Sequence, residues 1–285
     1  MTRFEFHVLN VGQGSANILI SPENHCLLCD IEGTSLGKNE PMKTSEYVSR
    51  YLSSINSENG EFNNTHLLLS HHDDDHVGNH DLIPKLDIDR VWAPRTTDVE
   101  NAIGRKTAAK TIESVSEVGA PILAADYNNS IDISDHLSID VLSPPPSPVN
   151  ALKGSDISHI PRNDNSLCLF IKYNEVSILY PGDAQNYGIQ WIADSDSAVD
   201  VDVLIAPHHG SEKGDYIKLL NHCSPDKVVI SSAHAYQDDR YGHPHSNFLH
   251  ELDQREITTY WTAVHGNMRI TEELSQTEIS TQASY

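Results

Sequence analysis

The stretch HLLLSHHDDDHVGNH, residues 66–80, decides how the chain is read. Residues 66–70 form a short apolar run of strand length. It passes directly into His71-x-Asp73-x-Asp75-His76. With His72 set aside, every residue from 71 to 76 offers a nitrogen or oxygen suited to a divalent metal. A helix would fan positions 71, 73, 75 and 76 around its axis. A strand end followed by a tight loop can turn them towards one centre. Asp-rich loops are often only solvated turns, but two histidines framing three aspartates at a strand end favour a metal.

Working outward, further polar groups stand where apolar runs stop. Pro181-Gly182-Asp183 ends the run 176–180, and His208-His209-Gly210-Ser211 ends the buried-looking run 201–207. Arg240-Tyr241-Gly242-His243-Pro244-His245 lies in a polar loop, and Asn163-Asp164-Asn165-Ser166 closes a long Pro-rich loop. Each has a plain reading as a turn, since Gly, Pro, Asn and Asp favour turns. Together they are how a sheet scaffold gathers a multinuclear metal site from distant sequence.

The pattern between these groups predicts strands at 4–10, 17–20, 25–33, 66–70, 89–94, 136–144, 166–173, 176–183, 201–211, 227–232, 257–263 and 267–270. Helices are expected at 43–56, 97–118 (exposed), 184–197, 215–223 and 246–255. Strands dominate both halves with helices between them, and no G-x-G-x-x-G or phosphate-loop pattern occurs. This predicts an α/β layered sandwich in one domain, residues 1–272, with a loose polar tail at 273–285. Cys26 and Cys29 lie three apart in a strand and so face opposite sides, which reads as core rather than a redox or zinc pair. Cys168 and Cys223 read as apolar fillers.

Composition bounds the function. The 285 residues carry 19 Lys+Arg, 41 Asp+Glu, 17 His and 4 Cys, with a formal charge of −22. Such a surface repels polyanions and makes a duplex-coating protein a poor fit. No apolar run approaches the roughly 18 residues of a membrane span. The opening residues lack the apolar stretch of a signal peptide. A cytoplasmic protein without a disulfide framework is expected.

The set of motifs resembles the metallo-β-lactamase fold superfamily. It is most similar to the hydrolase domain of ComEC-type DNA-uptake proteins. VGQGSANILI and LLCDIEG (11–33), the His71–His76 cluster, NDNSL (163–167), PGD, HHGS, RYGHPH and a late Gly266 follow in that family's order over about residues 4–270. The resemblance implies a four-layer αββα sandwich with two divalent metals, Mn²⁺ or Zn²⁺, at one edge. By position, His71 and Asp73 would serve one metal, and Asp75 and His76 the other. Asp183 would bridge them, and one of His208 and His209, with His209 preferred, would complete the second. Asp30 would orient a ligand histidine. No histidine stands in the Asn163–Asn165 segment, where many relatives supply one. Ser15 replaces the usual Asp of VGQGD, Glu32 interrupts the usual D-x-G, and Lys213 is shifted by one position. No membrane channel accompanies the motifs, so a stand-alone hydrolase domain is expected, not an uptake machine.

The implied chemistry is hydrolysis of a phosphodiester. Two metals would share a hydroxide, lowering the pKa of water from near 16 towards about 7, and would clamp a phosphoryl oxygen. A donor set without Cys favours harder metals. Asp75, His208 and His243 are the expected catalytic residues, with His243 as proton donor or phosphate contact. Arg240, Lys213 and Asn165 are the expected substrate contacts. With the net charge, a nucleotide or a short or single-stranded nucleic acid is the expected substrate, rather than long duplex unaided by a partner. Two other readings stay open: hydrolysis of a lactone, thioester or other ester, and a regulatory or defence-complex component active only with a protein partner.

Overall fold

A computed structural model describes residues 4–32, 44–94, 106–144, 162–234, 241–273 and 275–282. Two sheets stack face to face. The larger has eight strands in the order β14-β13-β1-β2-β3-β4-β5-β6. These are β1 (Glu5–Val8), β2 (Ala16–Ile20), β3 (His25–Ile31), β4 (Asn64–Leu68), β5 (Ile88–Pro94), β6 (Ile122–Ala125), β13 (Asn267–Glu273) and β14 (Gln276–Gln282). The smaller has the order β12-β11-β10-β9-β8-β7. It comprises β7 (Ser138–Ser143), β8 (Cys168–Tyr173), β9 (Val176–Tyr180), β10 (Val203–Ile205), β11 (Lys227–Ile230) and β12 (Thr258–Trp261).

Three apolar layers hold the stack together. Phe6, Val8, Leu19, Leu27, Leu169, Ile171, Ile178 and Val229 meet between the sheets. Behind the larger sheet, Ile18, Leu28 and Leu67 pack on α1 (Thr44–Asn59) through Tyr47, Val48, Tyr51 and Leu52. Helix α3 (Lys106–Val118) joins that layer through Ala108 and Val115. Behind the smaller sheet, Leu179, Leu204 and Val228 pack on α4 (Asn186–Ala193), α5 (Tyr216–Cys223) and α6 (Ser246–Gln254). Helix, sheet, sheet, helix is the four-layer αββα sandwich that the family resemblance implies.

The sequence explains the faces. In β3, Cys26 and Leu28 point to the α1 layer while Leu27 and Cys29 point between the sheets, as the two-residue period requires. The β3-β4-β5-β6 block is parallel, as is β9-β10-β11-β12. Parallel strands covered on both faces carry continuous apolar runs, and CLLC, LLL and VLI are such runs. Parallel strands also bring their carboxyl ends to one edge, where ligands are gathered in open α/β sheets. That edge receives the loops after β3, β4, β9, β10 and β11.

Three expectations change. Residues 122–125 form β6, an edge strand whose Ile122 and Leu123 stay exposed, so it carries no alternating signal. Residues 276–282, expected as a loose tail, form β14, paired antiparallel with β13 through seven register partners. Its polar residues suit an edge strand, and Thr277 is the point it buries. Helix α3 is amphipathic rather than exposed, burying Ala108, Thr111 and Val115; residues 97–105 of that expectation lie outside the described residues.

The inter-sheet core predicts a stability effect. Phe6 is fully buried between the sheets. Phe6→Ala should cost about 3–5 kcal/mol of unfolding free energy in urea titrations, from lost transfer energy and the cavity left behind. A loss below about 1 kcal/mol would mean the two sheets do not close on this residue.

Candidate metal centre

The loop after β4 begins at Leu69, and a single turn, α2 (Asp74–Val77), follows Asp73. His71 and His76 are both buried, with ring centroids 4.2 Å apart. The turn after β9 supplies Asp183. Gly182 has φ +54, and a side chain there would meet Ser166 Cβ at 3.1 Å and Ser70 Cβ at 3.2 Å. Only glycine lets Pro181-Gly182-Asp183 close against both loops. Ser166 Oγ then accepts from the Asp183 backbone N–H at 3.1 Å.

The loop after β10 supplies the paired histidines in an uncommon way. His208 (φ 47) and His209 (φ 57) both adopt left-handed backbone, and Gly210 follows at φ 79. Left-handed non-glycine residues in succession cost energy and cluster at functional sites. The conformation is held by His208 N–H donating to Gly182 O at 3.1 Å and Ser211 N–H donating to His208 O at 2.9 Å.

Asp183 organises the centre, because its two oxygens face two groups of donors. Oδ1 lies 3.0 Å from His76 Nε2 and 3.5 Å from His209 Nε2. Asp75 Oδ2 lies 3.6 Å from that same His209 nitrogen. Oδ2 lies 3.8 Å from His71 Nε2 and 3.6 Å from His208 Nε2, and Asp73 Oδ2 lies 3.9 Å from His71 Nε2. The donor atoms of Asp75, His76, Asp183 and His209 all fall within 4.8 Å of one another.

The donors fit a divalent cation. Bonds of about 2.0–2.1 Å in a tetrahedral shell place donors about 3.3 Å apart, the spacing seen here. Ser70 Oγ donates its single proton to Asp30, so it accepts from His71 Nδ1 at 3.1 Å. That leaves His71 Nε2 bare, buried, without a hydrogen-bond partner among the described residues and facing Asp183. His76 Nε2 and His209 Nε2 confront each other at 3.1 Å, where two N–H groups cannot both point.

Electrostatics agree with a site built for cations. Burial, then the neighbouring His76, brings the His71 imidazole down to about 4. Burial opposes charge on Asp183, but His76 and His209 outweigh it and hold the carboxylate well below its usual range. Burial likewise opposes charge on His76, but Asp183 and Asp30 outweigh it and raise its pKa. His243 is brought down to about 4 by burial, then by His209 and His208.

An outer layer fixes the ring orientations. Asp30, buried with φ +62, accepts through Oδ2 from His76 Nδ1 (2.6 Å), Ser70 Oγ (2.6 Å) and Tyr180 Oη (2.5 Å). Its Oδ1 accepts from Ser70 N–H at 2.7 Å. His209 Nδ1 donates to Ser231 O at 2.8 Å, and Ser231 Oγ donates to Gly14 O at 2.8 Å. The Gln185 amide pairs with His208 Nδ1 (3.0 Å), and the Gln13 amide with His243 Nδ1 (3.3 Å). Gly14 matters because a Cβ there would lie 2.5 Å from Asp75 O and 2.1 Å from Glu32 Cγ. The Ser15 N–H donates to that same Asp75 carbonyl at 3.0 Å.

His71, Asp73, Asp75, His76, Asp183, His208 and His209 therefore come together, with Asp30 directly behind them. His243 lies beside His208, with ring centroids 5.3 Å apart. Asn163 reaches the centre, its Nδ2 lying 3.4 Å from both Asp183 Oδ2 and His208 Nε2. It stands in the place for which Asn165 is expected; Asn165 is half-buried and makes none of the described contacts to the centre. Lys213 is exposed, and the described contact at this residue is its N–H to Ser211 Oγ. Arg240 lies outside the described residues. His80 pairs with Asp81 at 3.2 Å. Sequence reasoning missed Ser70, Tyr180, Gln13, Gln185 and Ser231. Gln13 lay in the quoted VGQG segment and was the one with a signal.

The fold and this edge define the metallo-β-lactamase fold, and comparison with solved structures agrees. Zn²⁺-bound PqqB from Methylobacterium extorquens superposes with a TM-score of 0.52 at 11% identity, covering 90% of this chain and 97% of that one. A diphosphatase from the PhnP family gives 0.51 at 9% identity, covering 95% and 99%. An isothiocyanate hydrolase from Delia radicum gut bacteria gives 0.51 at 9% identity, covering 98% and 100%. By sequence, the chain is similar to ComE operon protein 3 of Bacillus subtilis (strain 168), with 24% identity over 272 residues. That match covers 93% of this chain and 32% of the relative, so the chain spans about a third of its length. It carries the resemblance to ComEC-type proteins along almost the whole chain. No family model matches. Among the described residues, no helix is long and apolar enough to cross a membrane.

The Asp30 layer makes a prediction. Asp30→Ala removes the acceptor that orients His76 and should weaken Zn²⁺ or Mn²⁺ binding about 10–100-fold in isothermal titration. Unchanged affinity, with circular dichroism showing an intact fold, would mean that Asp30 only supports packing.

Proposed function

We propose that this chain is a metal-dependent hydrolase that cleaves phosphodiesters, a phosphodiesterase or nuclease working with two divalent cations. The observation that carries the reading is the shared Asp183 carboxylate, with one oxygen facing His76 and His209 and the other facing His71 and His208. Divalent ions held by these residues would supply an activated water at neutral pH and offset charge on a phosphoryl oxygen. His71, Asp73 and Asp183 would hold one ion, with His208 and Asn163 beside it. Asp75, His76, His209 and Asp183 would hold the other. The donors are nitrogen and oxygen without sulfur, which suits Mn²⁺ as well as Zn²⁺.

The chain's own groups have defined tasks. Asp75 keeps a carboxylate against His209, and Gln185 fixes the ring of His208. His243, held by Gln13 and kept neutral by burial and by His209 and His208, contributes a hydrogen bond to the phosphate. Asn163 occupies the substrate-contact role expected of Asn165, and Lys213 and Arg240 keep the phosphate-contact role expected of them from the sequence. A diphosphatase among the structural neighbours, and ComE operon protein 3 as sequence relative with the resemblance to ComEC-type proteins, support phosphorus–oxygen chemistry. The formal charge of −22 favours a nucleotide or a single strand, with long duplex requiring a basic partner.

The test is a substrate panel with Mn²⁺ and with Zn²⁺: bis(p-nitrophenyl) phosphate, a single-stranded oligonucleotide, a lactone and a thioester. We expect the diesters to be cleaved, chelation to abolish turnover and added metal to restore it. Asp75→Ala and Asp183→Ala should each lower kcat/KM by at least about 100-fold, since both remove donors from the centre. Lactone or thioester turnover with inert diesters would replace this reading with general ester hydrolysis.

A further inference from the structure

The donors on the two sides of Asp183 are not equally ready for an ion. Among Asp75, His76, His209 and Asp183, the close donor pairs measure 3.0, 3.1, 3.5 and 3.6 Å. A tetrahedral shell needs about 3.3 Å, so these four groups stand almost in place. On the other side, His71 Nε2 lies 3.8 Å from Asp183 Oδ2 and 3.9 Å from Asp73 Oδ2. Those donors must draw together before they can share an ion. His208 Nε2 lies 3.6 Å from the same Asp183 oxygen, but it already meets Asn163 Nδ2 at 3.4 Å. It reaches an ion only by displacing that amide. Among the described residues, one side therefore offers two unhindered imidazoles and the other offers one.

The groups behind the rings differ in the same direction. His76 Nδ1 is held by the Asp30 carboxylate at 2.6 Å and His209 Nδ1 by the Ser231 carbonyl at 2.8 Å. His71 Nδ1 has only the Ser70 hydroxyl, at 3.1 Å. A carboxylate behind an imidazole fixes the ring and raises its basicity as a ligand. An ion arriving second also meets the charge of the first across a shared carboxylate, and like charges repel. We propose that the two positions bind unequally. A resident ion sits on Asp75, His76, His209 and Asp183, and an exchangeable ion on His71, Asp73 and Asp183, so that the free metal concentration controls turnover. This rests on the two-ion reading above and adds how that site is regulated.

The experiment strips the whole chain with chelator, dialyses it against graded free Mn²⁺ and counts bound metal by mass spectrometry. We expect two binding steps with midpoints at least about tenfold apart. Asp73→Asn should abolish or weaken the second step and leave the first within about twofold, whereas Asp75→Asn should weaken the first by about tenfold or more. Circular dichroism checks that both variants fold; if either does not, His71→Gln and His209→Gln replace them with the same expectations. Two ions bound in a single step, one ion only at millimolar Mn²⁺, or a first step lost in Asp73→Asn would each overturn the proposal. Turnover of bis(p-nitrophenyl) phosphate should rise with the second step, and turnover complete at the first overturns the regulatory role. Metal counting needs no substrate, so two unequal steps with inert diesters support the unequal positions and remove only the phosphodiester reading.

Discussion

His76 is clamped between two buried carboxylates, with Nδ1 on Asp30 at 2.6 Å and Nε2 on Asp183 at 3.0 Å. Removing two such charges from water is costly unless donors and cations compensate them. Much of the surrounding architecture supplies that compensation. Asp30 stands near the end of β3 and takes donors from the β4 loop, α2 and β9. Asp183 stands after β9 and takes them from α2 and from the loop after β10. The clamp therefore ties both sheets at one edge, and the stack cannot slide without uncovering a charge.

The same constraint explains the strained backbone. For the imidazoles of His208 and His209 to face opposite oxygens of one carboxylate, the chain must turn back sharply after β10. Two left-handed residues before Gly210 achieve this. The energy is recovered from the contacts they reach: His208 N–H on Gly182, His209 Nδ1 on Ser231, and Gln185 on His208. Preorganised rings with their outer nitrogens engaged keep their inner nitrogens directed at the centre, as metal-binding histidines require.

Much of this was legible along the chain. The apolar runs, the His71–His76 cluster and the Asp183 and His208-His209 turns are local signals, because a donor at a strand end needs only its neighbours to be seen. The edge strands β6 and β14 were not legible. An edge strand is half-solvated, so its side chains need not alternate, and its pairing partner supplies the structure. Asn163 rather than Asn165 reaches Asp183 because the 162–165 turn is capped by Asp164 on the backbone of α4, which sets which asparagine faces inward.

By itself, the sequence determined a layered α/β sandwich, the charge and the donor types, since those depend on periodicity and composition, while the count of four layers came from the family resemblance. Only the tertiary structure decided how the donors divide between the two oxygens of Asp183. It also decided that Tyr180 and Ser70 share Asp30, and that Gln13 reaches His243 across 230 positions. Those choices depend on distances between segments far apart in the chain. Packing of one sheet on the other sets such distances, and no local pattern records them.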